Sequence, residues 1–221
     1  VVRRYSCLAV MRPPRRWRRS PPTPGANHEC MAAALPSPDE VQAPFAHLEF
    51  NRVHTRSVAR LALSLFDETA WLHGMGAAER RLLWYAALLH DVGQGIDYVG
   101  HHKHSMALIL ECHELALTPS DLQRVACLAR YHRGADPKGS HPLYGTLPER
   151  DRGTICRLAA ILRIADGLDR GQIGRVEELR IARGDGGPIT IWIYSAQKPA
   201  LEIAAGTKKA ALFVRVFHRP I

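Results

Sequence analysis

The sequence holds five cysteines (Cys7, Cys30, Cys112, Cys127 and Cys156), and no two form a CxxC pair. Three of them fall in stretches of helical periodicity, so they read as reduced thiols of a cytoplasmic protein and not as a disulfide framework. Long hydrophobic runs are also missing: none reaches transmembrane length, and no secretory apolar segment follows the basic start. A Walker-type phosphate loop is absent throughout. Acidic residues are missing from residues 1–20, where Arg3, Arg4, Arg12, Arg15, Arg16, Arg18 and Arg19 stand. The proline-rich Ser20–Gly25 that follows holds neither a helix nor a central strand. Residues 1–40 are therefore expected to be a disordered extension. The chain starts with Val while Met11 and Met31 lie inside this stretch, so it reads as an over-long translation start. Its arginines carry most of the formal net charge of +9. The rest is close to neutral, which argues against a nucleic-acid partner, and no membrane partner is expected.

What the sequence does have is a mostly α body of ordinary globular composition, 46% apolar and 23% charged. The stretch Trp84–Gly93 organises it. Leu82, Leu83, Ala86 and Leu89 recur at helical spacing, and this apolar helix delivers His90 and Asp91 to its end, with Gly93 expected as the stop. For the dipeptide alone, a buried His–Asp hydrogen bond is the simpler reading. The other histidines change the balance. Asn51–Thr69 carries Val58, Leu61, Ala62, Leu65 and Phe66 on one stripe, with His54 one turn before it. His101-His102-Lys103-His104-Ser105 opens another helix; His104 shares a face with Ala107 and Leu108 and is expected to look inward, with His101 behind it. Thr118 caps a helix that runs to Tyr131-His132, Ala135–Pro148 reads as a surface loop, and Arg150–Leu168 delivers Asp166.

Six candidate ligands, His54, His90, Asp91, His104, His132 and Asp166, thus sit near helix ends at helix-plus-loop spacings, as metal sites in bundle cores do. Four imidazoles and two carboxylates exceed a structural zinc and suit one or two divalent ions, with Fe or Mn preferred and Zn, Ni or Mg allowed. Lys103, Arg133, Arg163 and Arg170 lie near enough to bind an anion, while Asp169, one turn beyond Asp166, supports a ligand or contacts substrate. From Gly171 the period changes. Val176–Ala182 and Ile189–Tyr194 alternate around Gly184-Asp185-Gly186-Gly187 as a hairpin, Ala200–Ala204 reads as a third strand, and Thr207–His218 as a helix. The expected layout is an extension (1–40), a helical bundle (41–170) and a small α+β module (171–221) that packs on the bundle or on a second copy in a homodimer.

The order His…His-Asp…Asp resembles the HD phosphohydrolase superfamily. By that resemblance His54, His90, Asp91 and Asp166 form the core set, His104 and His132 add a second metal, and Asp91 bridges. More narrowly, Leu61–Asp67, His101–Ser105, Ala129–Arg133 and Arg163–Arg170 resemble the C-terminal HD-like domain of the exopolyphosphatase/guanosine-pentaphosphatase (Ppx/GppA) family. That family's actin-like catalytic domain has no counterpart before residue 45. The resemblance implies a phosphohydrolase in which a metal-bound hydroxide attacks a phosphate ester or anhydride of a nucleotide or related small molecule, with Asp91 and Lys103 catalytic. The alternative is a non-catalytic protein that binds polyphosphate or guanosine pentaphosphate.

Overall fold

The computed structural model describes residues 2–7, 35–182 and 187–221. The first element is a strand, β1 (Arg3–Cys7). Part of the arginine-rich start is therefore ordered, against the expectation for residues 1–40. Residues 8–34 lie outside the described residues, so the rest of that expectation falls there. The body opens with helix α1 (Pro38–Gln42), a little before the expected start of the bundle at residue 41. A capping box starts it: Ser37 Oγ accepts the Glu40 amide at 3.2 Å, and Glu40 returns a carboxylate to the Ser37 amide at 2.7 Å.

Asn51 caps helix α2 (Arg52–Glu68), accepting the His54 amide at 3.0 Å. This cap sets where the helix begins and so where His54 points. Val58, Leu61, Ala62 and Leu65 are buried, as their spacing requires. A short helix, α3 (Ala70–His73), leads into α4 (Ala77–Leu89), whose apolar residues fill the centre of the core. Helix α5 (His101–Glu111) follows a 3-10 turn at Val92–Gly95. Gly93 is not the stop of α4, which ends at Leu89 with His90 still in helical geometry. Its role is close approach: a Cβ there would lie 2.2 Å from the His101 carbonyl oxygen and 2.4 Å from the Ser105 nitrogen. Ser105 Oγ accepts the Gly93 amide at 2.9 Å and donates to the His90 carbonyl at 2.7 Å, locking the start of α5 against the end of α4.

Thr118 caps α6 (Pro119–Tyr131) through the Asp121 amide at 3.1 Å. The following loop is not wholly irregular, since Pro142–Thr146 forms a short helix, α7. Helix α8 (Glu149–Gly167) then crosses the bundle, almost fully buried from Leu158 to Ala165. Strands β2 (Glu178–Ala182) and β3 (Thr190–Ser195) pair antiparallel, as the hairpin pattern requires; residues 183–186 of its turn lie outside the described residues. The third strand is not Ala200–Ala204 but β1, which pairs antiparallel with β3 from Arg3↔Ser195 to Cys7↔Ile191, giving the order β1-β3-β2. Residues Ala200–Lys209 instead form helix α9, which buries Glu202 and Gly206 at helical spacing, and α10 (Ala211–Phe217) follows. The fold is mostly α with a small C-terminal α+β module. Among the described residues no helix is long and apolar enough to cross a membrane. Cys112, Cys127 and Cys156 are free thiols.

Candidate metal centre

Four helix ends meet around Asp91. His54 lies in the first turn of α2, His90 directly after α4, His101 at the first position of α5, and His132 directly after α6. Each imidazole gives its Nδ1–H away from the centre. His90 donates to the Ala87 carbonyl at 2.8 Å, His132 to Ala129 at 2.7 Å and His101 to Tyr98 at 2.9 Å. His54 donates to Asp169 Oδ2 at 2.9 Å. A carbonyl or carboxylate partner accepts only, so these bonds fix the tautomer and turn all four Nε2 atoms inward.

The inward atoms converge on two carboxylates. His54 Nε2 lies 3.4 Å from Asp166 Oδ1 and 3.6 Å from Asp91 Oδ2. His90 Nε2 is 3.6 Å from Asp91 Oδ2, while His101 and His132 stand 3.1 and 3.6 Å from Asp91 Oδ1. Two sets have ligand atoms all within 4.8 Å of one another: His54, His90 and Asp166, and His90, Asp91 and His132. Asp91 and the four histidines are buried, and among the described residues His90 Nε2 has no hydrogen-bond partner. An orphaned imidazole nitrogen facing carboxylates is what a borderline divalent ion would satisfy, so the donor set fits such a metal.

The electrostatics differ among the rings. Burial works against charge on His54, but its hydrogen bonds to Asp166 and Asp169 outweigh it and raise its pKa to about 9, so its Nε2 carries a proton that a cation would displace. Burial would likewise raise Asp91, yet His90, His101 and His132 hold its carboxyl well below the usual range. Burial keeps His90 and His132 neutral and so available as ligands.

The structure brings together five of the six expected ligands. His104 is not among them. The buried stripe of α5 runs through His101, Ser105 and Ile109, and His104 sits half-buried beside it, its Cβ against Gly93. His101 takes its place at Asp91. Lys103 is exposed on α5 and does not line the cavity, so its expected catalytic position is not found. Asp169 is fully buried and accepts from His54 and, at 2.8 Å, from the Gly174 amide, so it holds His54 from behind and does not line the cavity. Arg163 is consumed by the protein: it donates to the Tyr131 and Ala135 carbonyls at 2.8 and 2.9 Å and pairs with Asp136 at 2.7 Å.

Beside the carboxylates opens a cavity of about 510 Å³. Arg133 and Arg170, exposed at its rim, form no ion pair among the described residues. Sequence reasoning missed two groups. Gln94 donates to Asp91 Oδ2 at 2.5 Å from the 3-10 turn, and its position three residues after Asp91 is the only signal for it. Lys209, from α9, pairs with Asp166 Oδ2; no local pattern marks it. Lys208 and Leu212 complete that wall.

No curated protein matches the chain. Residues 41–192 match the family described as Ppx/GppA phosphatase, domain III, a span that runs from α1 into β3 and contains Asp91, Asp166 and the four inward histidines. On a match over well more than half its length, the chain belongs to the Ppx/GppA phosphatase family, through that family's domain III.

Proposed function

We propose that the chain is a metal-dependent phosphohydrolase of HD type, acting on a phosphate ester or anhydride of a nucleotide or related phosphorylated small molecule. One observation carries this reading: four imidazoles, each fixed from behind by its Nδ1–H, aim Nε2 at Asp91 and Asp166 next to an open cavity. The residues that would hold metal are His54, His90, His101, His132, Asp91 and Asp166. Asp91 reaches His54 and His90 through one oxygen and His101 and His132 through the other, which supports a reading in which it would serve two ions.

A bound divalent ion supplies an activated water at neutral pH and charge for the phosphoryl oxygens. The protein's part is orientation. Asp169 and the Ala87, Tyr98 and Ala129 carbonyls take the Nδ1–H of each imidazole and turn its Nε2 inward, and Gln94 steadies the Asp91 carboxylate. Arg133 and Arg170 at the rim attract and place the substrate's remaining phosphate oxygens.

The test is phosphate release from nucleotides and inorganic polyphosphate with Mn²⁺ or Fe²⁺ supplied, by wild type and Asp91→Asn, beside calorimetric binding of the same compounds. Turnover by the wild type should fall by orders of magnitude in Asp91→Asn. Tight binding without release by the wild type, across all compounds, would instead establish a binding protein.

A further inference from the structure

Helices α8 and α9 cross where neither carries a side chain. A Cβ on Gly167 would stand 2.8 Å from Gly206 Cα, and one on Gly206 would stand 2.9 Å from Leu168 Cδ2. The two backbones are therefore in contact. Gly167 follows Asp166, and Lys209 comes about one helical turn after Gly206. The crossing lays the Lys209 ammonium on Asp166 Oδ2, while Asp166 Oδ1 faces His54 Nε2 at 3.4 Å.

The contact is held from several sides. Glu202, buried on the same helix, pairs with Arg175 at 3.7 Å, and a Cβ on Gly171 would press against it at 2.9 Å. Arg215 of α10 pairs with Asp136, which also takes Arg163 at 2.7 Å. Helices α9 and α10 are thus tied to the segments that follow His132 and Asp166. Both helices lie beyond residue 192, outside the span that matches the family.

A positive charge on a carboxylate lowers what that carboxylate offers an incoming cation, most strongly where water is excluded. We propose that Lys209 is a tethered cation that competes with metal for Asp166, so that the C-terminal helix pair sets the metal affinity of the centre. Lys209 is thereby a positioning residue acting through Asp166. This inference rests on the metal-binding reading of the centre.

The experiment is calorimetric titration of Mn²⁺ into the full chain, as wild type, Lys209→Met, Lys209→Arg and, as a charge control, Lys198→Met. Lys209→Met should bind Mn²⁺ more tightly, by at least about fivefold, the lower end of ordinary coupling between sites. Lys209→Arg, which keeps the charge, should stay near wild type, and so should Lys198→Met. A role in packing alone would weaken binding, so the sign separates the two. Amide exchange provides a second readout: Mn²⁺ should speed exchange in 200–209 of the wild type, because the pair is broken, and should leave Lys209→Met unchanged. If the methionine variant does not fold, the wild-type exchange decides alone. Equal or weaker Mn²⁺ binding by folded Lys209→Met, equal tightening by Lys198→Met, or wild-type exchange indifferent to Mn²⁺ overturns the proposal and leaves the metal reading standing. Absence of Mn²⁺ binding by every form overturns both.

Discussion

His101 and His132 face each other through Nε2 atoms 3.3 Å apart, both having given their Nδ1–H to backbone carbonyls. Two imidazole lone pairs at that distance repel unless a proton or a metal ion stands at one of them. The pair is therefore expected to hold metal jointly with Asp91. His101→Ala or His132→Ala should lower the metal bound per chain, read by elemental analysis of the purified protein. His104→Ala should leave it unchanged. Retention of full metal by both His101→Ala and His132→Ala would show that the pair is structural.

Asp169 never reaches the cavity, yet it orients His54. Asp169→Asn keeps the size of the side chain and removes the charge that His54 Nδ1–H meets. Changes of this kind behind a ligand cost about 10–100-fold in metal affinity. Calorimetry should show that loss with an unchanged far-UV circular dichroism spectrum; wild-type affinity would mean that His54 is held by other contacts.

The glycines of α8 and α9 differ in what surrounds them. Gly206→Val would drive a side chain into Leu168, and overpacking of this kind costs about 1–3 kcal/mol. Gly153, in the same α8 that carries Gly167, has open space at its Cβ position. Gly153→Ala should instead stabilise by about 1 kcal/mol through helix propensity. Urea midpoints of the two variants should move in opposite directions.

His73 supplies a pH dependence unrelated to metal. Its Nε2–H donates to the Phe66 carbonyl at 2.8 Å and its Nδ1 accepts the Met75 amide at 2.9 Å, so only the neutral ring satisfies both. Burial lowers its pKa below the usual 6.5. Below that value the unfolded chain binds a proton that the native chain refuses, so stability falls as the pH drops. Between about pH 7.5 and 5.5 the urea midpoint should fall less in His73→Gln than in wild type. His90 and His132, also neutral when buried, keep part of the slope in both.

Much of this was legible because it is local. The stripes of α2, α4, α6 and α8 follow from apolar spacing, and they deliver His54, His90, Asp91, His132 and Asp166 to one end of the bundle. The choice among His101, His102 and His104 was not legible, because Ala107 and Leu108 define one plausible face and Ser105 and Ile109 another. What decides between them is the docking of Gly93 on Ser105, a tertiary contact. Leu201 and Ile203 alternate like a strand, and only the burial of Glu202 and Gly206 reveals α9. Lys209 reaches Asp166 from 43 positions away, a relation no local pattern encodes. The family likeness could be read from four short motifs, since three of them, His101–Ser105, Ala129–Arg133 and Arg163–Arg170, are themselves helix ends that build the centre.

The pairing of β1 with β3 imposes an order of events on synthesis. The hairpin of β2 and β3 joins strands that are neighbours in the chain, and closes as soon as both have left the ribosome. Arg3–Cys7 is made long before Ile191–Ser195 and has to wait for it. Throughout that interval the helical body can assemble, since α2, α4, α5, α6 and α8 are all made between the two strands, while β1 stays without its partner. The sheet is thus completed after the bundle, and β3 has a free edge until Arg3–Cys7 covers it.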